Sequence, residues 1–274
     1  MREVTEERSH PESSGGGRAR ETAVVVLTPA ESKRLIARAV ARLPEVRAAL
    51  QGGRVIVATG STNAYVAEEI LGQPMDKARF ITGHIRQGAL AVPSAGPLPQ
   101  PLVLVRGERK HGDFRQVLQE FEAGDVFIKG ANAVDPQGYV GILLGSPTAG
   151  TIGAAWPIIC ARGCHLVVPV GLEKLVPSVR AAARACQGAV AGHSLDGGRV
   201  SMMPLVGARV VTEIEALEVL AGVSAHHVAS GGIDGSEGSV VLVLEGSPEE
   251  ISRALAAVRA VKGEPPFRLP AGGS

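Results

Sequence analysis

One segment near the middle of the chain, residues 125–171, constrains the fold more than any other. The run Val126–Ile128 predicts a buried strand, and the loop 145–151 that follows later is rich in Gly, Ser and Thr. A helix is predicted from Ile152 to Arg162, and the run Leu166–Val170 predicts a second strand. A strand, a glycine-rich loop, a helix and a strand make a βαβ unit, so the segment predicts a parallel sheet. Ligands of such sheets bind at the carboxyl ends of the strands.

The composition agrees with an α/β protein. Hydrophobic residues make up 45% of the 274 residues, aromatic residues only 3%, and there are 35 glycines, which favours an α/β sheet over a β-sandwich or a disordered chain. We predict that residues 23–206 form an open, mainly parallel Rossmann-like sheet with helices on both faces. Residues 207–263 read as strand, helix, strand, strand, helix and are predicted to pack as a separate ferredoxin-like α+β module. Residues 1–22 are predicted to be a disordered tail and residues 264–274 an extended tail.

Charge and cysteine content exclude several classes of protein. The net charge of +1 gives no reason to expect a nucleic acid partner. The three cysteines lack the spacing of a zinc site and are interpreted as reduced thiols, and we expect no metal and no cofactor. No apolar run approaches the ~18 residues that a membrane span needs, and the charged N-terminus does not resemble a signal peptide. These features predict a soluble, cytoplasmic protein with no membrane partner.

A second polar loop follows the strand predicted at Arg54–Ala58. It comes directly before a helix predicted from Ala64 to Leu71, so backbone N–H groups and the positive end of the helix dipole meet there. The loop residues are Thr59, Gly60, Ser61, Thr62 and Asn63. They are candidates for binding an anion, although such residues also serve simply as helix caps. The spacing matches neither a Walker loop nor a dinucleotide-binding fingerprint.

Both loops carry a resemblance to a known family. The stretch Lys129-Gly-Ala-Asn-Ala-Val-Asp135, with Gly138 and the loop up to Thr151, resembles the Gly-Ala-Asp segment of the sugar-isomerase and CoA-transferase superfold. This superfold includes ribose-5-phosphate isomerase, glucosamine-6-phosphate deaminase, methylthioribose-1-phosphate isomerase and the regulatory subunits of the initiation factor 2B complex. The stretch Ala58–Asn63 resembles the phosphate loop of ribose-5-phosphate isomerase. The two stretches occur in the order found in the family.

The resemblance implies that the protein binds a phosphorylated sugar or a similar small anionic metabolite. The catalytic candidates are Lys129, Asn132 and Asp135, which leave the carboxyl end of a predicted strand within seven residues. The predicted ligand-binding residues are Thr59, Gly60, Ser61, Thr62, Asn63, Gly130, Gly145, Ser146, Thr148, Gly150 and Thr151. Because all these loops follow strands of one sheet or begin helices beside it, we expect them to converge at one edge.

The chain departs from the family at Asn132, which stands where the family has an aspartate. An amide cannot act as a base at ordinary pH, so two hypotheses remain open. The first is an isomerase or lyase that works by proton transfer, with Asp135 or His84 as the acid or base. The second is a non-catalytic ligand-sensing or assembly protein that kept the anion pocket. A CoA- or nucleotide-binding enzyme is a third and weaker alternative, and for each of them we expect a homo-oligomer.

Overall fold

The structure is a computed structural model that describes residues 20–91, 98–189 and 201–269. The first half of the chain contains β1 (Glu21–Leu27), α1 (Pro29–Val40), α2 (Pro44–Gly52), β2 (Arg54–Val57), α3 (Ser61–Leu71), β3 (His84–Arg86), β4 (Ala89–Ala91), β5 (Leu102–Val105), β6 (Glu108–Lys110), α4 (Phe114–Gln119) and β7 (Val126–Ile128). The second half contains β8 (Ala133–Val134), β9 (Val140–Leu144), α5 (Gly150–Arg162), β10 (His165–Pro169), α6 (Val179–Ala189), β11 (Ser201–Leu205), β12 (Arg209–Val211), α7 (Glu213–Ala221), β13 (Ser224–Gly231), β14 (Ser239–Gly246) and α8 (Pro248–Arg259). Single turns of 3-10 helix lie at Lys77–Phe80 and Leu172–Lys174.

The centre of the molecule is an open six-stranded sheet with the strand order β12-β10-β7-β2-β5-β6. The first four strands are parallel, whereas β5 and β6 continue the sheet in antiparallel pairing. In the middle strand, Ile128 pairs with Val57 on one side and Val167 on the other. All three residues of β7 are buried, as expected for a parallel strand covered on both faces. The predicted α/β class with a mainly parallel sheet is confirmed.

Successive side chains of the central strands divide between two hydrophobic clusters. Val57 and Ile128 pack in a cluster with residues of α1, α3 and α7, whereas Ile56 and Phe127 pack in another with residues of α4 and α5. Because neighbouring side chains of a strand point to opposite faces, α3 and α5 lie on opposite faces of the sheet.

Helix starts follow the sequence closely. Helix α1 begins with a capping box in which the Thr28 side chain accepts the N–H of Glu31 and the Glu31 carboxylate accepts the N–H of Thr28. Helices α7 and α8 begin with the same motif at Thr212 and Ser247. Each box satisfies backbone donors that would otherwise lack a partner, a contribution of roughly 0.5–2 kcal/mol per cap.

The C-terminal part differs from the separate module predicted for residues 207–263. Strand β12, its predicted first strand, pairs with β10 and forms an edge of the main sheet, where Val211 is fully buried. Strands β13 and β14 instead join β1 in an antiparallel sheet with β14 in the middle. Strand β12 belongs to the main sheet because Val211 packs there against the same hydrophobic cluster as Val167. Smaller sheets are formed by β11-β9-β8 and by the hairpin β3-β4.

The predicted tails are only partly covered by the structure. Residues 1–19 and 270–274 lie outside the described residues, while Glu21 and Thr22 already belong to β1. At the other end, Glu264 forms an ion pair with Arg34 of α1, and Phe267 packs against the core. Within the described ranges, none of the helices is long and apolar enough to cross a membrane.

Candidate functional site

The candidate site lies at the carboxyl ends of β2 and β7, which are neighbours in the sheet. The chain leaves β2 into α3 on one face, whereas the connection from β7 to β10 runs through α5 on the other face. Where connections leave adjacent strands toward opposite faces, a crevice opens at the strand ends, and open α/β sheets bind ligands there. The stretch Thr59–Asn63 follows β2 and the pair Lys129-Gly130 follows β7, so both lie at these neighbouring strand ends.

Helix α3 begins at the crevice without a side-chain cap. Gly60 precedes its first turn with φ of 151°, and its own N–H donates to the carbonyl of Phe80 at 2.8 Å. Thr59 is buried and its hydroxyl bonds that of Thr82 at 2.7 Å. The N–H groups at the start of α3 therefore remain donors for a ligand, and a Cβ placed on Gly60 would meet open space.

Asn63 joins the two strand ends. It is fully buried, and its amide nitrogen donates to the carbonyl oxygens of Ala58 (2.7 Å) and Ile128 (3.3 Å). Its side-chain oxygen is buried and has no hydrogen-bond partner. That oxygen lies 3.6 Å from the position that a Cβ on Gly130 would occupy, an ordinary van der Waals distance. Asn63 thus holds β2 against β7 and keeps one buried acceptor beside Gly130.

Lys129 follows the last residue of β7 and is partly buried. Its backbone N–H donates to the carbonyl of Val167 at 3.0 Å, which keeps the residue in line with the sheet. Its ammonium lies 3.5 Å from the carbonyl oxygen of Gly130 and forms no ion pair with any carboxylate of the described residues. Burial lowers the pKa of Lys129 to about 8. A lysine that loses hydration without gaining a carboxylate is a cation ready for an anionic ligand.

The carboxylate of Asp135, the predicted base, accepts hydrogen bonds from backbone N–H groups. One carboxylate oxygen accepts the N–H groups of Gln137 (3.1 Å) and Tyr139 (3.0 Å), and the other accepts the N–H of Val179 at 2.9 Å. The carboxylate is buried, and its bonds organise the turn after β8 and hold the first residue of α6. These contacts are those of a structural residue.

The remaining predicted residues are Asn132 and those of the loop 145–151. Asn132 is exposed and its side-chain oxygen accepts the N–H of Leu143 at 3.0 Å, which supports the β8-β9 pairing. Gly145, Ser146 and Thr148 are also exposed.

The loop leads into the start of α5, which has no side-chain cap, through two residues of positive φ, Ala149 and Gly150. Thr151 is partly buried in the first turn of this helix. No hydrogen bond or ion pair within the described ranges joins the loop 145–151 to Lys129 or to Thr59–Asn63. The structure therefore brings Thr59–Asn63 and Lys129-Gly130 together through Asn63, while the side-chain hydrogen bonds of Asn132 and Asp135 are with other segments of the chain.

A further polar cluster was missed at the sequence level. Glu213 follows β12 and is 0% exposed, and one of its carboxylate oxygens accepts the N–H of Leu172 at 2.9 Å. Burial, and after it the charge of Glu173, raises the pKa of Glu213 to about 7. The available signal was that Glu173 and Glu213 both follow short apolar strands of the parallel sheet by a few residues.

No protein-family model matches the chain, and no curated protein matches its sequence.

Proposed function

We propose that this protein binds a phosphorylated sugar or a similar small anionic metabolite in the crevice between the ends of β2 and β7. The observation that carries the proposal is Lys129, whose ammonium has no carboxylate partner within the described residues. Lys129 follows the end of β7, and Asn63 in the first turn of the uncapped helix α3 donates to that strand end. The ligand's anionic group would accept the first N–H groups of α3 and the hydroxyl of Ser61 or Thr62. Lys129 would supply the point charge.

The energetics of Lys129 support an anion over a neutral ligand. Burial without an opposite charge disfavours the ammonium form, which is why the pKa of Lys129 is lowered. A bound phosphate would supply the missing charge and restore that pKa. The protein thus holds the cation in an unfavourable state that a bound anion would relieve.

We propose that the six-stranded sheet is Rossmann-like and related to the sugar-isomerase and CoA-transferase superfold. We also propose that β13, β14 and α8, together with β1, form a ferredoxin-like appendage. The switch in connection direction between β2 and β7 supports the first part, and the antiparallel order β1-β14-β13 supports the second.

Ligand sensing without catalysis is the second candidate, and the surroundings of Asp135 favour it. Both oxygens of that carboxylate accept backbone N–H groups and the side chain is buried, so Asp135 serves the turn after β8 and the start of α6. An isomerase or lyase would need another base near the crevice. His84 is the candidate there, because it follows Thr82 closely and its partly buried ring has one nitrogen, Nδ1, without a partner.

Calorimetric titration with ribose 5-phosphate tests the proposed site. Lys129→Met keeps the apolar length of the side chain and removes its charge, and we expect affinity to fall at least tenfold, as for loss of a charge-assisted contact. Lys110→Met is the matched control, since Lys110 is an exposed lysine paired with Glu108. Equal affinities of the two variants and the wild type would exclude Lys129 from the site.

Self-association remains part of the proposal. Val24 and Val26 of β1 are 66% and 45% exposed on the outer face of the β1-β14-β13 sheet, and Val228 of β13 is exposed as well. Such a patch favours contact with another protein surface. We propose that copies of the chain meet there, and light scattering of Val24→Lys against the wild type tests it. An unchanged molar mass would place the contact elsewhere or exclude it.

A further inference from the structure

Four chain segments converge at the carboxyl ends of β10 and β12, away from the β2–β7 crevice. Glu173 lies three residues after Val170, and Glu213 starts α7 directly after β12. Ser32 and Lys33 come from α1, which packs over these strand ends. The fourth segment is the β13–β14 connection, where a Cβ on Gly238 would lie 3.5 Å from the Cβ of Glu173.

The two carboxylates meet at one short stretch of backbone. Glu213 binds the N–H of Leu172 through one oxygen, and Glu173 folds back over Gly171 so tightly that a Cβ there would lie 1.8 Å from its carboxylate oxygen. Each carboxylate has one further oxygen that is buried and lacks a hydrogen-bond partner, Oε2 of Glu173 and Oε1 of Glu213. Buried carboxylate oxygens usually accept at least one hydrogen bond, so these two oxygens are candidates to accept hydrogen bonds from a ligand.

Two lysines complete the cluster. Lys174 forms an ion pair with the other oxygen of Glu173, and its side chain is partly reached by solvent. Lys33 is partly buried, and the charges of both Glu173 and Glu213 act on its ammonium. Solvent thus reaches Glu173 and the two lysines, whereas Glu213 lies beneath them. The cluster thus combines two partly exposed lysines with two buried carboxylate oxygens that lack hydrogen-bond partners.

We propose that Lys33, Lys174, Glu173 and Glu213 form a second small-molecule site, for a ligand that carries an anionic group together with hydroxyl or amino donors. The lysines receive the anionic group, and the two unpartnered oxygens accept hydrogen bonds from the donors. A metal ion does not fit as well, because the described residues contain no group of three or more His, Cys, Asp or Glu side chains that could hold one, and two ammonium groups lie close by.

The chemistry of Glu213 suits such a ligand. Burial and the neighbouring Glu173 raise its pKa to about 7, while the nearby Ser32 hydroxyl and the N–H of Leu172 favour the charged form and oppose the rise. Glu213 therefore exchanges a proton near neutral pH, and it can either accept from or donate to a ligand hydroxyl. Lys33 from α1, and Glu173 and Lys174 from the β10–α6 link, are the charged groups that face it.

Glycerol 3-phosphate is a suitable probe because it combines a phosphate with two hydroxyls. We expect it to bind the Lys129→Met variant of the full chain, in which the crevice site is disabled, and to shift the carboxyl carbon resonance of Glu213 in NMR spectra of protein labelled with ¹³C in glutamate. We expect Glu213→Gln or Lys33→Met, each added to Lys129→Met, to weaken binding at least tenfold. Lys33→Met changes a residue that solvent still reaches, so it tests the site even where the buried variant folds poorly.

Three results would overturn the second site. The first is binding that disappears entirely with Lys129→Met, which would leave only the crevice. The second is a Glu213 resonance that the probe does not move. The third is affinity that neither added substitution lowers, which would mean that the two unpartnered oxygens are satisfied by a shared proton alone. If the wild-type protein binds the probe at Glu213 but binds no ligand in the crevice, only the crevice proposal is refuted.

Discussion

The buried carboxyl group of Glu213 predicts an unusual dependence of stability on pH. Its pKa is about 7 in the folded protein against 4.5 for an unburied glutamate, so the folded state binds the proton more tightly than the unfolded state. The contribution of this group to the free energy of unfolding is therefore fully present below pH 4.5 and is lost as the pH rises through 7. A difference of roughly 2.5 units corresponds to about 3 kcal/mol at 1.36 kcal/mol per unit.

Glu213→Gln removes the titration while keeping the side-chain shape. We expect the variant to be close to the wild type or somewhat less stable at pH 5, and to become more stable relative to the wild type by up to about 3 kcal/mol at pH 8. Urea unfolding at pH 5, 6, 7 and 8 measures the difference. Glu218→Gln is the control, because Glu218 is an exposed residue of the same helix. A stability difference between Glu213→Gln and wild type that stays constant from pH 5 to pH 8 would refute the reasoning.

Three further predictions follow from other buried charges. Asp135→Asn should lower the free energy of unfolding by about 2–4 kcal/mol, because an amide cannot accept all three backbone N–H groups. The affinity of the folded variant for ribose 5-phosphate should not change. A loss of affinity without a loss of stability would show that Asp135 belongs to the binding site. Arg34→Met should lower the free energy of unfolding, measured with urea, by about 3–5 kcal/mol, because Glu68 and Glu264 lose their ion pairs with the Arg34 guanidinium. A loss below ~1 kcal/mol would show that solvent screens these charges. The affinity for an anion should fall as the pH rises through about 8, because Lys129 loses its proton there. Calorimetry should find no such pH dependence in Lys129→Met. A pH dependence that persists in that variant would show that another group causes it.

Much of the main sheet could be predicted because its signals are local. The strands β2, β7 and β10 are short runs rich in β-branched residues. Thr28, Pro29 and Glu31 predict the start of α1. What could not be predicted is pairing between distant segments. Strand β1 pairs with β14 more than two hundred residues away, and β12 is an edge of the main sheet, and neither partner is visible in the local pattern.

The candidate site shows the same division. Loops that follow parallel strands come together at one edge, which is why Thr59–Asn63 and Lys129-Gly130 could be foreseen as neighbours. Asp135 was selected for its charge, but its position in a turn gives it three backbone donors that no spacing reveals. Glu213 was overlooked for the opposite reason, because an acid at a helix start is normally exposed and here it is covered by α1 and the β10–α6 link.

The amine of Lys129 offers the most direct test of the central claim that an anion binds between β2 and β7. Its pKa can be measured by ¹⁵N NMR of the lysine side chains, with Lys129→Met to assign the signal, in the absence and in the presence of ribose 5-phosphate. The account predicts a pKa of about 8 for the free protein and a rise when the ligand binds, because the phosphate restores the charge balance of the ammonium. A pKa near the ordinary lysine value of 10.5 that the ligand does not move would contradict it.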